Sequence, residues 1–247
     1  MSNAPIQKAF ILGAGFGTRL RPYTDERPKP MVEINGRTLI TRILDKLICA
    51  GVTEAYVNTH YLAGIMEDRL KTYASKNNIK IHISHEPDIL DTGGGIKNII
   101  GEFDSNPFYV IAGDSLWTDG KLSALDDLHQ NWDGSKMDIL TLMMPVERMI
   151  LTHGVGDYNF INEKQVKRSL DKSGTHMWTN IRINTPDVFQ KYALETQKEK
   201  NFSFLPIMDE CEKAGRLFAL EHDADWHHVS TPKDLETVDA AFKKENL

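Results

Sequence analysis

The chain has 247 residues, 40% hydrophobic and 26% charged, which are the proportions of a globular protein long enough for one large α/β domain. A formal net charge of −6 at pH 7 argues against nucleic acid as a partner. No apolar run approaches the ~20 residues of a membrane helix, so no membrane partner is expected.

The first residues, Met1-Ser2-Asn3-Ala4-Pro5, carry no basic segment and no long apolar core, so no secretory leader is read here. Cys49 and Cys211 lie far apart in apolar-periodic segments. They are expected as reduced core thiols of a cytoplasmic protein.

In chain order, Ala9-Phe10-Ile11-Leu12 reads as a buried strand. Gly13, Gly15 and Gly17 follow and free the backbone to turn sharply and approach a ligand. Thr18, Arg19, Arg21 and Lys29 surround that loop with donors and positive charge, as a polyphosphate requires. Lys29 stands between Pro28 and Pro30, which restrict the backbone on both sides of it. The dinucleotide fingerprint G-x-G-x-x-G fails because Thr18 stands where its third glycine should be, and the P-loop fails because no Lys-Ser/Thr follows its second glycine. The loop is therefore expected to hold a nucleoside triphosphate.

Leu39 to Ile48 repeats at helical spacing and ends near Gly51. Ala55–Asn58 reads as a strand, Tyr61–Ala74 as a helix and Ile79–Ile83 as a strand. Gly93-Gly94-Gly95 lets the backbone lie flat against a planar base, or forms a loop capped by Thr92 into a helix at 96–100. Pro107–Ala112 is a buried strand closed by Gly113-Asp114. Asp114 at that strand end suits Mg²⁺, which prefers oxygen ligands, or serves as a turn residue. A helix over Leu122–Gln130 and a buried strand over Asp138–Met144 complete the β-α-β rhythm. That rhythm predicts an α/β fold with a doubly wound, mainly parallel, Rossmann-like sheet. Ligands of such sheets bind beyond the carboxyl ends of the strands, where the glycine loop and Asp114 share a crevice.

Past residue 145 the rhythm changes. Phe160-Ile161, Val166–Arg168 and Trp178–Ile183 read as short strands of a small antiparallel addition, with helices near 186–193, 204–214 and 233–244.

Residues 12–30 resemble the signature L-A-A-G-x-G-T-R-(L/M)-x-P-x-T-x-x-x-P-K-P of the sugar-1-phosphate nucleotidyltransferases, with Gly13 for the first Ala. The resemblance implies one domain over 1–247, with a nucleotide-binding core at 1–145 and a sugar-phosphate part at 146–247. It implies that an NTP and a sugar-1-phosphate give an NDP-sugar and pyrophosphate. By resemblance Arg19 and Lys29 bind phosphates and Asp114 binds Mg²⁺, as the catalytic set. The nucleotide set is Leu12, Gly13, Ala14, Gly15, Gly17, Thr18, Arg19, Lys29, Glu86, Thr92, Gly93 and Gly94.

The second metal-binding segment of the family, W-x-D-(V/I)-G-T-P, reads Trp226-His227-His228-Val229-Ser230-Thr231-Pro232 here. His228 stands at the Asp position, with Asp223 and Asp225 close by. On the sugar side, Asn180 stands where the family has Gly in A-G-I, and Asp171-Lys172 resembles an E-K pair that meets sugar and phosphate. His85–Ile96, Gly113–Asp119 and Gly156-Asp157-Tyr158 resemble the branch containing N-acetylmuramate-1-phosphate uridylyltransferases. Mannose- and heptose-1-phosphate guanylyltransferases have similar loops. The departures at His228, Ser230 and Asn180 leave a non-catalytic nucleotide-sugar sensor as a reading of another class. The chain is expected as a monomer or small homo-oligomer.

Overall fold

The computed structural model describes residues 4–245. The reading of Met1–Asn3 as part of a leaderless N-terminus lies outside these residues. β1 (Lys8–Leu12) is followed by a hairpin of β2 (Glu33–Ile34) and β3 (Arg37–Thr38). Asn35 and Gly36 turn that hairpin, both at positive φ, as a two-residue turn demands. Then come α1 (Leu39–Cys49), β4 (Glu54–Thr59), α2 (Ala63–Ala74), β5 (Lys80–His85) and α3 (Asp91–Asn98). β6 (Phe108–Ala112), β7 (Ser115–Trp117), α4 (Ala124–Asn131) and β8 (Ile139–Pro145) complete the first part. The rest is β9 (Tyr158–Phe160), β10 (Val166–Arg168), β11 (His176–Asn184), α5 (Val188–Lys191), α6 (Leu205–Lys213), β12 (Leu217–Glu221), β13 (Trp226–His228) and α7 (Pro232–Glu245).

β5, β4, β1 and β6 pair in parallel, in that order. β11 follows antiparallel to β6, and β8 pairs antiparallel to β11 and parallel to β12. β11 therefore runs through the main sheet, against its neighbours, rather than in a small separate addition. Its residues from Ile181 to Asn184 are all buried, as a central strand requires. The β9–β10 hairpin forms the antiparallel edge.

Alternation along β1 splits the core in two. Ala9 and Ile11 face a cluster with Ile40, Ile43, Leu44 and Leu47 of α1 and Leu125 and Leu128 of α4. Phe10 faces a cluster with Phe108, Phe204, Ile207 and Met208. Covering both sheet faces with helices is the doubly wound arrangement. A third cluster packs Leu235, Val238 and Phe242 of α7 on Leu20, Val32, Ile34 and Leu39. α7 is thus docked on the segment that follows the glycine loop.

Both cysteines are free thiols, but only Cys211 is core; Cys49 ends α1 and is exposed. Among the described residues no helix is long and apolar enough to cross a membrane.

Candidate active site

β4 and β5 lie on one side of β1 and β6 on the other, so the strand order reverses beside β1. Ligands of open α/β sheets bind at such a point, beyond the strand ends. The glycine loop leaves β1 there, and Gly113-Asp114 leaves β6 beside it. The Gly113 N–H donates to the Leu12 carbonyl at 2.8 Å, and a Cβ on Gly113 would lie 2.7 Å from that same oxygen. Glycine is what lets the two strand ends close up.

A cavity of about 280 Å³ opens at this point. Leu12, Gly13, Ala14, Gly15, Gly17 and Lys29 line it, together with Glu86, Ile89, Asp91, Thr92, Asp114 and Asn180. Clefts of about 460 and 890 Å³ exist elsewhere, but neither brings the glycine loop together with Lys29 and Asp114. Chemistry, not size, singles out the smaller one.

Lys29 Nζ donates to Asp114 Oδ2 at 2.5 Å. Burial raises the Asp114 carboxyl, but the Lys29 charge and hydrogen bond, with a smaller contribution from His228, more than offset it. The net shift is below the usual carboxylate range, so Asp114 is ionised at neutral pH. β13 pairs with β7 so that His228 stands opposite Ser115, next to Asp114 in the chain. Burial lowers the His228 imidazole, Asp114 opposes that, and Lys29 and Arg19 add to it. The net result is a neutral ring at pH 7. Asp223 and Asp225 are exposed and do not line the cavity. Asp114 and His228 are too few to hold a metal by themselves, and no group of three or more metal-ligating side chains exists among the described residues. The Asp114 carboxylate is the oxygen donor that Mg²⁺ takes alongside phosphate oxygens and water, whereas the His228 imidazole nitrogen is a softer donor than this ion favours.

Arg19 and Thr18 are exposed and outside the lining, although the Arg19 charge reaches His228. Gly13 donates its N–H at 2.6 Å to Asn58 Oδ1 rather than leaving it for a phosphate. A Cβ at Gly13 would lie 2.8 Å from the Asn58 carbonyl, so glycine in place of the family's alanine fits a close approach to β4.

Asn58, buried on β4, was not marked by the sequence pattern. Its Nδ2 donates to Glu86 Oε1 at 2.7 Å, and Glu86 Oε2 accepts from the Leu90 N–H at 2.9 Å. This chain of bonds ties the glycine loop to the 86–92 loop. A polar residue near the end of an apolar strand, with a Glu just past the end of the following strand, is the available signal.

Gly93 and Gly94 turn away from the cavity. α3 starts at Asp91, so these glycines lie in its first turns, and both N–H groups donate to the Phe202 carbonyl at 2.9 and 3.1 Å. A Cβ at Gly93 would lie 2.5 Å from the Phe202 ring, and one at Gly94 2.1 Å from the Lys200 carbonyl. They are required for helix packing, not for a flat face. Thr92 does not cap this helix; its hydroxyl accepts from the Phe204 N–H at 3.0 Å.

Asp171 and Lys172 are not brought to the cavity. Asp171 Oδ1 accepts from Ser169 and Ser173, whose hydrogen bonds hold its carboxyl down to about 2. Lys172 Nζ donates to Asp157 Oδ1 at 2.5 Å. Asn180 does line the cavity.

Residues 8–245 match the family described as nucleotidyl transferase. The chain belongs to that family. An N-acetylmuramate alpha-1-phosphate uridylyltransferase from Caulobacter vibrioides is 32% identical over 94% of this chain and 95% of its own length. A mannose-1-phosphate guanyltransferase from Aspergillus oryzae is 31% identical over 92% of this chain, which spans only 62% of that relative. The crystal structure of a UDP-glucose pyrophosphorylase complexed with UDP-glucose superposes with a TM-score of 0.77 at 18% identity, covering 97% of this chain and 99% of that one. At that identity the likeness establishes the fold.

Proposed function

We propose that the protein joins a nucleoside triphosphate to a sugar-1-phosphate, with UTP and N-acetylmuramate-1-phosphate as the preferred pair. The observation that carries this reading is the single cavity at the switch point, where a glycine loop, Lys29 and an ionised Asp114 face a second loop and Asn180. The full-length likeness to the Caulobacter uridylyltransferase favours UTP and the muramate sugar.

The sugar phosphate is already an anion, so the reaction needs no general base. Its oxygen attacks the α-phosphorus, a new P–O bond forms, and the bond to the β-phosphate bridging oxygen breaks. That oxygen keeps the electron pair and departs with pyrophosphate. The residues act by positioning and by offsetting charge. The glycine loop lets the phosphates come close to the backbone, and Lys29 offsets charge on the departing pyrophosphate. Arg19, at the rim, attracts the triphosphate. Asp114, with His228 beside it, would hold Mg²⁺, which when bound neutralises phosphate charge. Glu86, braced by Asn58, positions the loop that meets the base.

Pyrophosphate release with Mg²⁺ tests this, crossing UTP, GTP, CTP and dTTP against N-acetylmuramate-, N-acetylglucosamine-, mannose-, glucose- and heptose-1-phosphates. Turnover is expected with UTP and N-acetylmuramate-1-phosphate. Turnover with GTP and mannose-1-phosphate instead would move the protein to the chemistry of its Aspergillus relative. Nucleotide binding without turnover on any pair would favour a sensor.

A further inference from the structure

Arg182 is fully buried on β11, among the side chains of the cluster that holds Tyr158 and Phe204. Its Nε donates to Asn184 Oδ1 at 3.2 Å, and its Nη1 donates to Asn180 Oδ1. The guanidinium lies 4.3 Å from the Phe204 ring centroid and 5.3 Å from that of Trp178. Nη2 has no acceptor, and no ion pair with a carboxylate is formed among the described residues. Burial pushes the group down to about 9, which leaves it cationic at neutral pH. An uncompensated buried cation is destabilising, and apolar residues of similar volume would pack the site at least as well. Its position gives it a use.

Asn180 has φ +56° and sits where the register of β11 against β8 shifts between Trp178 and Arg182. Bulges of this kind re-aim a side chain, and asparagine tolerates the left-handed region better than most residues. A guanidinium carries donors only. The Asn180 carboxamide therefore meets Arg182 with its oxygen, and its NH₂ is turned away from Arg182. Asn180 lines the cavity that also holds Lys29 and Asp114. Lys29 is already paired with Asp114, whereas the Arg182 charge is not offset.

The geometry points to Asn180 as a specificity-determining hydrogen-bond donor and to Arg182 as the positioning residue that fixes its polarity, selecting an anionic oxygen at this end of the cavity. That oxygen belongs either to the phosphate of the sugar-1-phosphate or to a carboxylate carried by the sugar. The inference rests on the sugar-phosphate reading of the cavity.

Asn180→Asp separates polarity from packing. The aspartate keeps an acceptor toward Arg182 and pairs its charge, but presents an anionic acceptor where the NH₂ stood. Calorimetric binding of N-acetylmuramate-1-phosphate and N-acetylglucosamine-1-phosphate is measured alongside UTP binding and thermal unfolding. The expected result is sugar-phosphate affinity lowered roughly 10- to 100-fold, UTP affinity within about twofold, and no loss of thermal stability. Arg182→Met is expected to weaken the sugar phosphate with UTP unchanged, and adding it to Asn180→Asp is expected to cost less than the sum of the two. Equal losses for both sugars assign the contact to the phosphate; a loss confined to the muramate sugar assigns it to the carboxylate. Unchanged sugar-phosphate affinity in Asn180→Asp overturns the inference. Because binding is read directly, this result stands apart from turnover: a wild-type protein silent across all nucleotide and sugar pairs overturns the catalytic reading instead.

Discussion

Asp114→Asn should separate binding from turnover in opposite directions. In the structure Lys29 is held by Asp114 at 2.5 Å, with side-chain exposures of 12% and 33%. A charge-assisted hydrogen bond contributes about 1.5–3 kcal/mol, and the exposure of the carboxylate trims that to about 1–2 kcal/mol. A triphosphate arriving at Lys29 must displace this bond. Neutralising the carboxylate releases the lysine, so nucleotide affinity measured in EDTA should tighten by roughly 5- to 30-fold at 1.4 kcal/mol per decade. Turnover in Mg²⁺ should fall by at least ~100-fold, because the oxygen ligand for the metal is gone. Isothermal titration in EDTA and continuous pyrophosphate release in Mg²⁺ read the two quantities on one preparation. Turnover within a few-fold of wild type refutes the metal assignment. Nucleotide affinity in EDTA that weakens rather than tightens refutes the competition between Asp114 and phosphate for Lys29.

Asp138 anchors the start of β8 through Lys191 Nζ, Tyr192 Oη and Arg216 Nε at 2.6, 2.6 and 2.8 Å, and its side chain is 4% exposed. Asp138→Ala should lower stability by about 2–3 kcal/mol in urea unfolding at pH 7, since it removes the acceptor of the buried Tyr192 hydroxyl and of the more exposed Arg216 and Lys191. Burial raises the Asp138 carboxyl, but these bonds more than offset it, and the net shift is down. Its stabilisation is then complete above the unfolded value of about 3.9 and is lost as pH falls through the depressed folded value. The gap between wild type and Asp138→Asn should narrow below about pH 4, and a constant gap argues against this linkage. Asn58→Ala orphans the Gly13 N–H and one Glu86 oxygen, and should cost about 2–3 kcal/mol and weaken nucleotide binding; unchanged binding would disconnect the two loops. Gly94→Ala drives a methyl into the Lys200 carbonyl, so thermal unfolding should show a loss of about 1–3 kcal/mol, and an unchanged melting temperature would mean the 200–202 segment yields freely.

Local pattern carried much of the fold. The apolar runs before Gly13 and before Gly113 announce β1 and β6, and helical spacing places α1 to within a residue. The signature loop likewise marks part of the cavity lining, because glycine spacing and a proline-flanked lysine are local properties. What local pattern does not contain is the partner. Gly93 and Gly94 look like a flat ligand platform until Phe202 and Lys200, more than a hundred residues on, occupy the space their missing side chains leave. Asp171-Lys172 looks like a sugar-phosphate pair until Asp157 takes the lysine. Asn58 sits in a strand that reads as core, and only the sheet brings it to Glu86; Arg182 lies two residues from Asn180 on β11, but its complete burial is set by long-range packing. Trp178–Ile183 reads as a short strand of a small addition because the length of β11 and its pairing with β6, β8 and β9 are set by long-range contacts.

The docking of α7 on Leu20, Val32 and Ile34 also bears on the order in which the molecule becomes competent. The glycine loop leaves the ribosome well before α7 does. The apolar surface that steadies its flank arrives only with Leu235, Val238 and Phe242, far later in the sequence. The Asn35 N–H, donated to Asp239 Oδ1 at 2.7 Å, has the same long wait. Contacts so distant in sequence form late, after the loop-closure entropy between them has been overcome. In a nascent chain the glycine loop would therefore stay loosely held until α7 has emerged and folded back over Leu20, Val32 and Ile34.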